Sequence, residues 1–182
     1  MTVVYERLDT EADAGQLVAF LAGEVWPFHV FASLTEETVR TKLAEGYYDG
    51  ESSRSFWIGE DSERVGLIRL EDLDDDAPVF DLRIGAAHRG RGVGGRALQW
   101  LTGYVFSEFA DVTRIEGTTR QDNEPMRRAF RRGGYVKEAH YREAWPDQDG
   151  TLYDSIGYGI LRRDWQTGSR TEVRWDDEPN GR

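Results

Sequence analysis

Two periods of apolar residues interleave along this chain. In some stretches apolar and polar positions alternate, as in a strand with one buried face; in others apolar residues recur every third or fourth position, as on a helix with one buried stripe. Residues 3–8 read as an edge strand and 12–22 as a helix with the stripe Leu17, Val18, Phe20 and Leu21, after which Trp26-Pro27-Phe28 interrupts the pattern. A second helix is expected after Ser33 or Thr35, with Glu36, Glu37 and Thr38 suited to its first turn, ending at Gly46. Residues 55–59 and 65–70 form a hairpin pattern around the polar turn 60–64, followed by an acidic loop over 71–76. The rest predicts strand over 79–84, a long helix over 92–109, strand over 114–118, helix over 124–132, and strands over 135–141 and 151–161.

The order begins β-α-α-β-β-β-α-β-α-β, which is mixed α/β (α+β). With 182 residues the chain fits one domain, and the polar composition past Trp165 divides it into a domain over 1–165 and a C-terminal tail over 166–182. Composition then narrows the chemistry. Without cysteine there is no disulfide, thiol nucleophile or cysteinyl acyl-enzyme, and a soluble, cytoplasmic protein is the expectation. His29, His88 and His140 lie far apart without metal-ligand spacing, so no metal is expected. The first residues lack a signal-peptide layout, and no apolar run approaches the ~20 residues that span a bilayer. A net charge of -11 opposes binding to nucleic acid or anionic lipid and favours a cationic acceptor.

Against that charge stands the run Arg89-Gly90-Arg91-Gly92-Val93-Gly94-Gly95-Arg96, placed where a strand hands over to a helix. Its glycines let main-chain amides converge, the first helical turn leaves amides unpaired, and no Asp or Glu falls between Arg83 and Arg96. This combination points to an anionic ligand. Gly90-x-Gly92-x-x-Gly95, with Asp111 downstream, also satisfies the dinucleotide-binding fingerprint, but four strands precede it where a Rossmann domain has one.

Arg89-x-x-Gly92-x-Gly94 after the fourth strand, Thr119-Arg120-Gln121-Asp122-Asn123 leading into a helix, and Gly133-Gly134-Tyr135 together resemble the GCN5-related N-acetyltransferase (GNAT) superfamily over residues 1–165. The closing run from Tyr153 to Trp165 resembles its RimJ/RimL-type branch. The resemblance implies a mostly antiparallel, twisted sheet of six to seven strands flanked by about four helices and splayed between strands 4 and 5. It implies transfer of an acetyl group from acetyl-CoA, with no metal, to the primary amine of a small molecule or a protein N-terminus. The diphosphate would lie on Arg89, Gly90, Arg91, Gly92, Val93, Gly94 and Gly95, and the pantetheine arm would meet Ile84 and Ala86. Asn123, Met126, Arg127, Phe130 and Arg131 would flank the arm, although Asn123 reads equally as a helix cap.

The family's usual acid, a tyrosine seven residues after the asparagine, is Phe130 here, which leaves Tyr135, Tyr141, Ser155 and Tyr158 as donors for the thiolate. Alternation puts Asp81 and Arg83 on one strand face, making Asp81 a candidate base, with Glu116 on the next strand a second. Each reads equally as a surface ion pair, with Arg83 and with Arg114. An acceptor wall is expected from Trp26, Phe28, His29, Phe31, Tyr47 and Tyr48, faced by Tyr141, Trp145 and Tyr153, though an aromatic core and a packed His29 explain the same residues. A non-catalytic acyl-CoA sensor is the rival function, and a homodimer through the last strands stays open.

Overall fold

The computed structural model describes residues 3–175. In chain order its elements are β1 (Val3–Arg7), α1 (Ala14–Ala22), α2 (Glu36–Ala44), β2 (Arg54–Glu60), β3 (Glu63–Glu71), β4 (Val79–Ile84), α3 (Val93–Glu108), β5 (Arg114–Arg120), α4 (Glu124–Arg132), β6 (Val136–Pro146), β7 (Leu152–Leu161) and α5 (Arg162–Thr167). A short 3₁₀ turn, Ala86–His88, lies between β4 and α3. The strands form two antiparallel sheets in the orders β1-β2-β3-β4 and β5-β7-β6. This is the mixed α/β architecture that the sequence predicts, with the break in the sheet between β4 and β5.

Local chemistry explains the boundaries. Thr35 caps α2 by accepting from Thr38 N at 3.1 Å, and Glu36 and Glu37 sit at the positive end of its dipole. The β2–β3 hairpin is tighter than a turn over 60–64. Glu60 pairs with Glu63, so only Asp61 and Ser62 make the turn, both left-handed at φ 50° and 70°, as a two-residue hairpin requires. Glu60 is thereby carried into the strand, where it is buried. β6 runs on past Tyr141 because a bulge, with Glu143 at φ 54°, absorbs the extra residues before pairing resumes at Trp145.

Two cores sandwich the first sheet. On one face Phe56, Ile58, Ile68 and Leu70 pack on α3 residues Ala97, Leu98, Leu101 and Val105 and on Phe130 and Ile156. On the other Trp57 and Leu67 pack on Leu17, Leu21, Trp26 and Val39 of the α1–α2 region. Each large side chain so buried contributes about 1.5–3 kcal/mol. After β7 the chain makes α5, where Trp165 packs on Phe106 and the buried Asp164 accepts from Thr171 N at 2.7 Å. Residues 176–182 of the expected tail lie outside the described residues.

Candidate active site

β4 and β5 begin side by side and then part. Thr113 N donates to Asp76 O at 3.0 Å and Glu116 N to Pro78 O at 3.1 Å, while further along β5 pairs only with β7. The rings of Phe80 and Phe130 fill the closed end against Gly117. A Cβ there would lie 2.6 Å from Phe130 and 3.1 Å from Phe80, so only glycine admits both. Beyond this plug, one edge of β4 lacks a strand partner among the described residues. Such an edge offers main-chain groups to an extended, amide-containing ligand.

At the open end of β4 stands the N-terminus of α3. Gly92, at φ 81°, is its N-cap, no side chain caps it, and its first turn holds no acid. Arg96 N is the first amide to bond back into the helix, to Gly92 O at 3.1 Å. The preceding amides are the unpaired donors of a helix start, aimed along the positive end of the dipole. Val93 is 1% exposed, so it presents its amide while its side chain stays in the core.

The arginines of this run act differently from the sequence expectation. Arg89 is spent internally, donating to Ile84 O and Val25 O, both at 2.8 Å, above the Trp26 ring. Arg96 donates to Glu60 at 2.9 Å and to Arg91 O at 3.3 Å, and Arg91 lies 3.6 Å from the same carboxylate. The acid-free stretch from Arg83 to Arg96 is therefore not acid-free in space: Glu60 comes from β2 and Glu24 from beyond α1. Glu24 accepts from Ala86 N at 3.2 Å and Arg89 donates to Ile84 O, so one main-chain group of each residue expected to meet a pantetheine arm, Ile84 and Ala86, already has a partner.

On the odd face of β4, Asp81 bridges His29 and Arg83. His29 Nε2 lies 2.9 Å from Oδ1, and Arg83 Nε donates to Oδ2 at 2.8 Å. Burial opposes ionisation of Asp81, but the hydrogen bond from His29 and the charge of Arg83 outweigh it and hold the carboxyl well below the usual carboxylate range. A carboxylate so stabilised is a weak base. His29 Nδ1, by contrast, is buried and without a hydrogen-bond partner. Trp26, expected on an acceptor wall, is 1% exposed, with its indole N–H bound to Leu21 O. It is a core side chain over which Arg83 and Arg89 lie. Tyr48 is likewise buried, while Phe31 is exposed.

Across the break, Phe28 reaches the second sheet. The Arg120 guanidinium sits 5.2 Å from the Phe28 ring and 3.8 Å from that of Tyr153, and is gripped by Asp122 through two bonds of 2.7 Å. Ser155 is the register partner of Arg120 on one side and of Tyr141 on the other, so these residues form one row across the second sheet. Tyr141 also lines an open cavity of about 800 Å³ with His140, Arg142 and Asp154. Glu116 sits elsewhere: it pairs with Arg114 at 3.2 Å, at the closed end where β4 and β5 still touch. It is the surface ion pair rather than a group beside Asp81.

α4 is more structural than expected. Asn123 caps it, accepting from Met126 N at 3.3 Å while its amide donates to Thr119 at 2.9 Å. Arg127 donates to Gln121 O at 2.7 Å and to the Tyr158 hydroxyl at 3.3 Å; Met126 packs on the core, and the Arg131 carbonyl accepts from Arg170. Phe130 is 0% exposed and stacked on Tyr158, which removes it from any surface a carrier could touch. Tyr135 is removed as a proton donor too. Burial pushes its hydroxyl strongly upward, only partly offset by its hydrogen bond to Thr102. Glu60, Glu24 and the bridging role of Arg120 went unread in the sequence. The one available signal was an acidic residue ending the β-pattern 55–59.

A family model described as "Acetyltransferase (GNAT) domain" matches residues 3–136, and the chain belongs to that family. The fold agrees. A chimera of the spermidine N-acetyltransferase SpeG from Vibrio cholerae and hSSAT superposes with a TM-score of 0.76 at 16% identity, covering 91% of this chain and 99% of its own. The spermidine/spermine N-acetyltransferase SpeG from Vibrio cholerae, solved with manganese ions, gives 0.73 at 17%, covering 92% and 97%. RimL, a ribosomal α-N-protein acetyltransferase solved with coenzyme A, gives 0.74 at 16%, covering 88% and 94%. No curated protein sequence matches the chain. Among the described residues no helix is long and apolar enough to cross a membrane.

Proposed function

We propose that this GNAT-family protein transfers an acetyl group from acetyl-CoA to a primary amine, by direct attack within a ternary complex. One observation supports this above the others: the edge of β4, which has no strand partner among the described residues, leads through the short turn Ala86–His88 to a helix start at Gly92 that has no side-chain cap and no acid in its first turn. In this reading the diphosphate rests on the main-chain amides from Gly90 to Gly95, and the pantetheine arm enters the wedge between β4 and β5. The arm's amides pair with main chain beyond Phe80. The amine arrives between Phe28 and the row Arg120, Ser155 and Tyr141.

The chemistry then balances as follows. The neutral amine nitrogen attacks the thioester carbonyl carbon, the C–S bond breaks as the tetrahedral species collapses, and the departing thiolate takes a proton from the exposed Tyr141 hydroxyl, which solvent restores. The proton lost by nitrogen goes to His29 Nδ1. Asp81, held ionised, orients the ring through Nε2 and balances the imidazolium that forms, which suits it better than direct proton abstraction. An α-amino acceptor has an ordinary pKa near ~8, so a fraction is already neutral at physiological pH. The acceptor class is a small-molecule amine or a protein N-terminus; SpeG is named for spermidine and RimL for a ribosomal protein.

The buried Phe130, at the position where the family resemblance leads one to expect a tyrosine acid, favours one second reading, a non-catalytic acyl-CoA sensor. Calorimetric titration with coenzyme A and with NAD, followed by incubation of acetyl-CoA with a pooled amine and peptide library, separates the cases. Coenzyme A binding with free thiol released above background supports transfer. Binding without thiol release makes the protein a sensor, and binding of NAD alone overturns both.

A further inference from the structure

The cradle at the start of α3 is built on a buried acid. We infer that Glu60 is the positioning residue of this cradle: acting through Arg96, it draws the Arg91 carbonyl inward and leaves the amides that follow turned toward the anion. The inference rests on the acetyl-CoA reading above.

The link is continuous in hydrogen bonds. Glu60 Oε1 accepts from Arg96 Nη2 at 2.9 Å, and Nη1 of the same guanidinium donates to Arg91 O at 3.3 Å. Glu60 Oε2 faces Arg91 Nη2 at 3.6 Å and His88 Nδ1 at 3.8 Å. The carboxylate is anchored by its backbone, which pairs with Val3 on one side and closes the hairpin with Glu63 on the other. Its side chain is 3% exposed, whereas those of Arg91 and Arg96 are each 42% exposed. The buried partner is thus the fixed one, and the loop is what it fixes. Gly92 belongs to the same device. A Cβ there would stand 3.3 Å from Arg96 Nη1, in a left-handed conformation that side chains rarely adopt.

Two effects of Glu60 on a bound diphosphate oppose each other. As a negative charge it repels the ligand and occupies the arginines; as an anchor it preorganises the donors, which lowers the ordering cost of binding. Its burial and its link through Arg96 to the Arg91 carbonyl make the anchor the dominant effect.

The test is calorimetric titration of coenzyme A into wild type, E60M, R96M and the double variant, with S-acetylpantetheine, which lacks the diphosphate, as the control ligand. Loss of a hydrogen bond to a charged group should weaken coenzyme A binding about tenfold in either single variant. The double variant should be no weaker than the singles, because both break one chain of contacts. Binding of S-acetylpantetheine should stay unchanged. Tighter binding by E60M, or additive losses in the double variant, would overturn the inference in favour of a countercharge that merely competes for the arginines. Should E60M fail to fold, E60D keeps the charge and shortens the reach: weaker binding supports the anchor, unchanged or tighter binding sinks it. Wild-type protein that binds no coenzyme A would instead defeat the functional reading, a distinguishable failure.

Discussion

Asp81 is the residue on which the candidate site turns, because it ties a strand of the first sheet to the segment after α1. Its carboxylate is 22% exposed and satisfied by His29 and Arg83, so Asp81→Asn leaves Arg83 short of a counter-ion in a partly enclosed place. We expect a loss of about 1–3 kcal/mol in folding stability, measured by urea denaturation near neutral pH. The sign of its pH dependence follows from the depressed folded-state pKa. The wild-type advantage is fully present above the unfolded value of about 4 and shrinks as pH falls below it, toward the lower folded value. An advantage that grew on acidification would contradict this assignment. At this scale the sequence disclosed Asp81 and Arg83 on one face, because a strand's period of two needs no knowledge of neighbours. It did not disclose that His29 completes the group, since that contact spans 52 positions and depends on how the α1–α2 segment crosses the sheet. Glu60 was hidden for a related reason: its partner Arg96 lies 36 positions away, and a one-residue error in the hairpin turn moves it from strand to loop.

The elements were more legible than the contacts between them. Strong periodicity fixed the types of β4, α3 and α4, whereas the full length of β6 depends on a bulge at Glu143 that no alternation pattern encodes. The wedge between β4 and β5 has an element-level cause that can be tested. Gly117 of β5 is the point where the Phe80 and Phe130 rings meet the strand, and an added methyl group would collide at 2.6 Å with a ring held by stacking on Tyr158. Gly117→Ala should therefore destabilise the fold by about 1–3 kcal/mol through overpacking. At this chain length that lowers the melting temperature by about 2–4 °C per kcal/mol. Because the methyl would push β5 from β4 at the closed end of the wedge, coenzyme A affinity should change with it. A variant as stable as wild type would mean that the rings do not set the separation of the strands.

For the whole molecule, the question is how a protein of net charge -11 would hold the polyanionic carrier proposed for it. Along the sequence three arginines stand in an acid-free stretch, but the fold gives each a partner: Arg96 is bonded to Glu60, Arg91 lies beside the same carboxylate, and Arg89 donates to two carbonyls. In the proposed reading the local attraction is thus mainly that of main-chain amides and a helix dipole, which act at contact range. The long-range field remains repulsive, and at 0.15 M salt it is screened over about 8 Å. These two ranges respond differently to ionic strength. Between 50 and 300 mM sodium chloride, the dissociation constant of coenzyme A should change by less than about threefold, because contacts with fixed dipoles are poorly screened and bare cations are few. The association rate should rise over the same interval as the protein's own negative field is damped. Stopped-flow fluorescence, with the aromatic residues as the reporter, measures both rates. An affinity that falls tenfold with a slowing association would mean that free guanidinium groups capture the carrier, as the sequence alone suggested, and that Glu60 does not hold them.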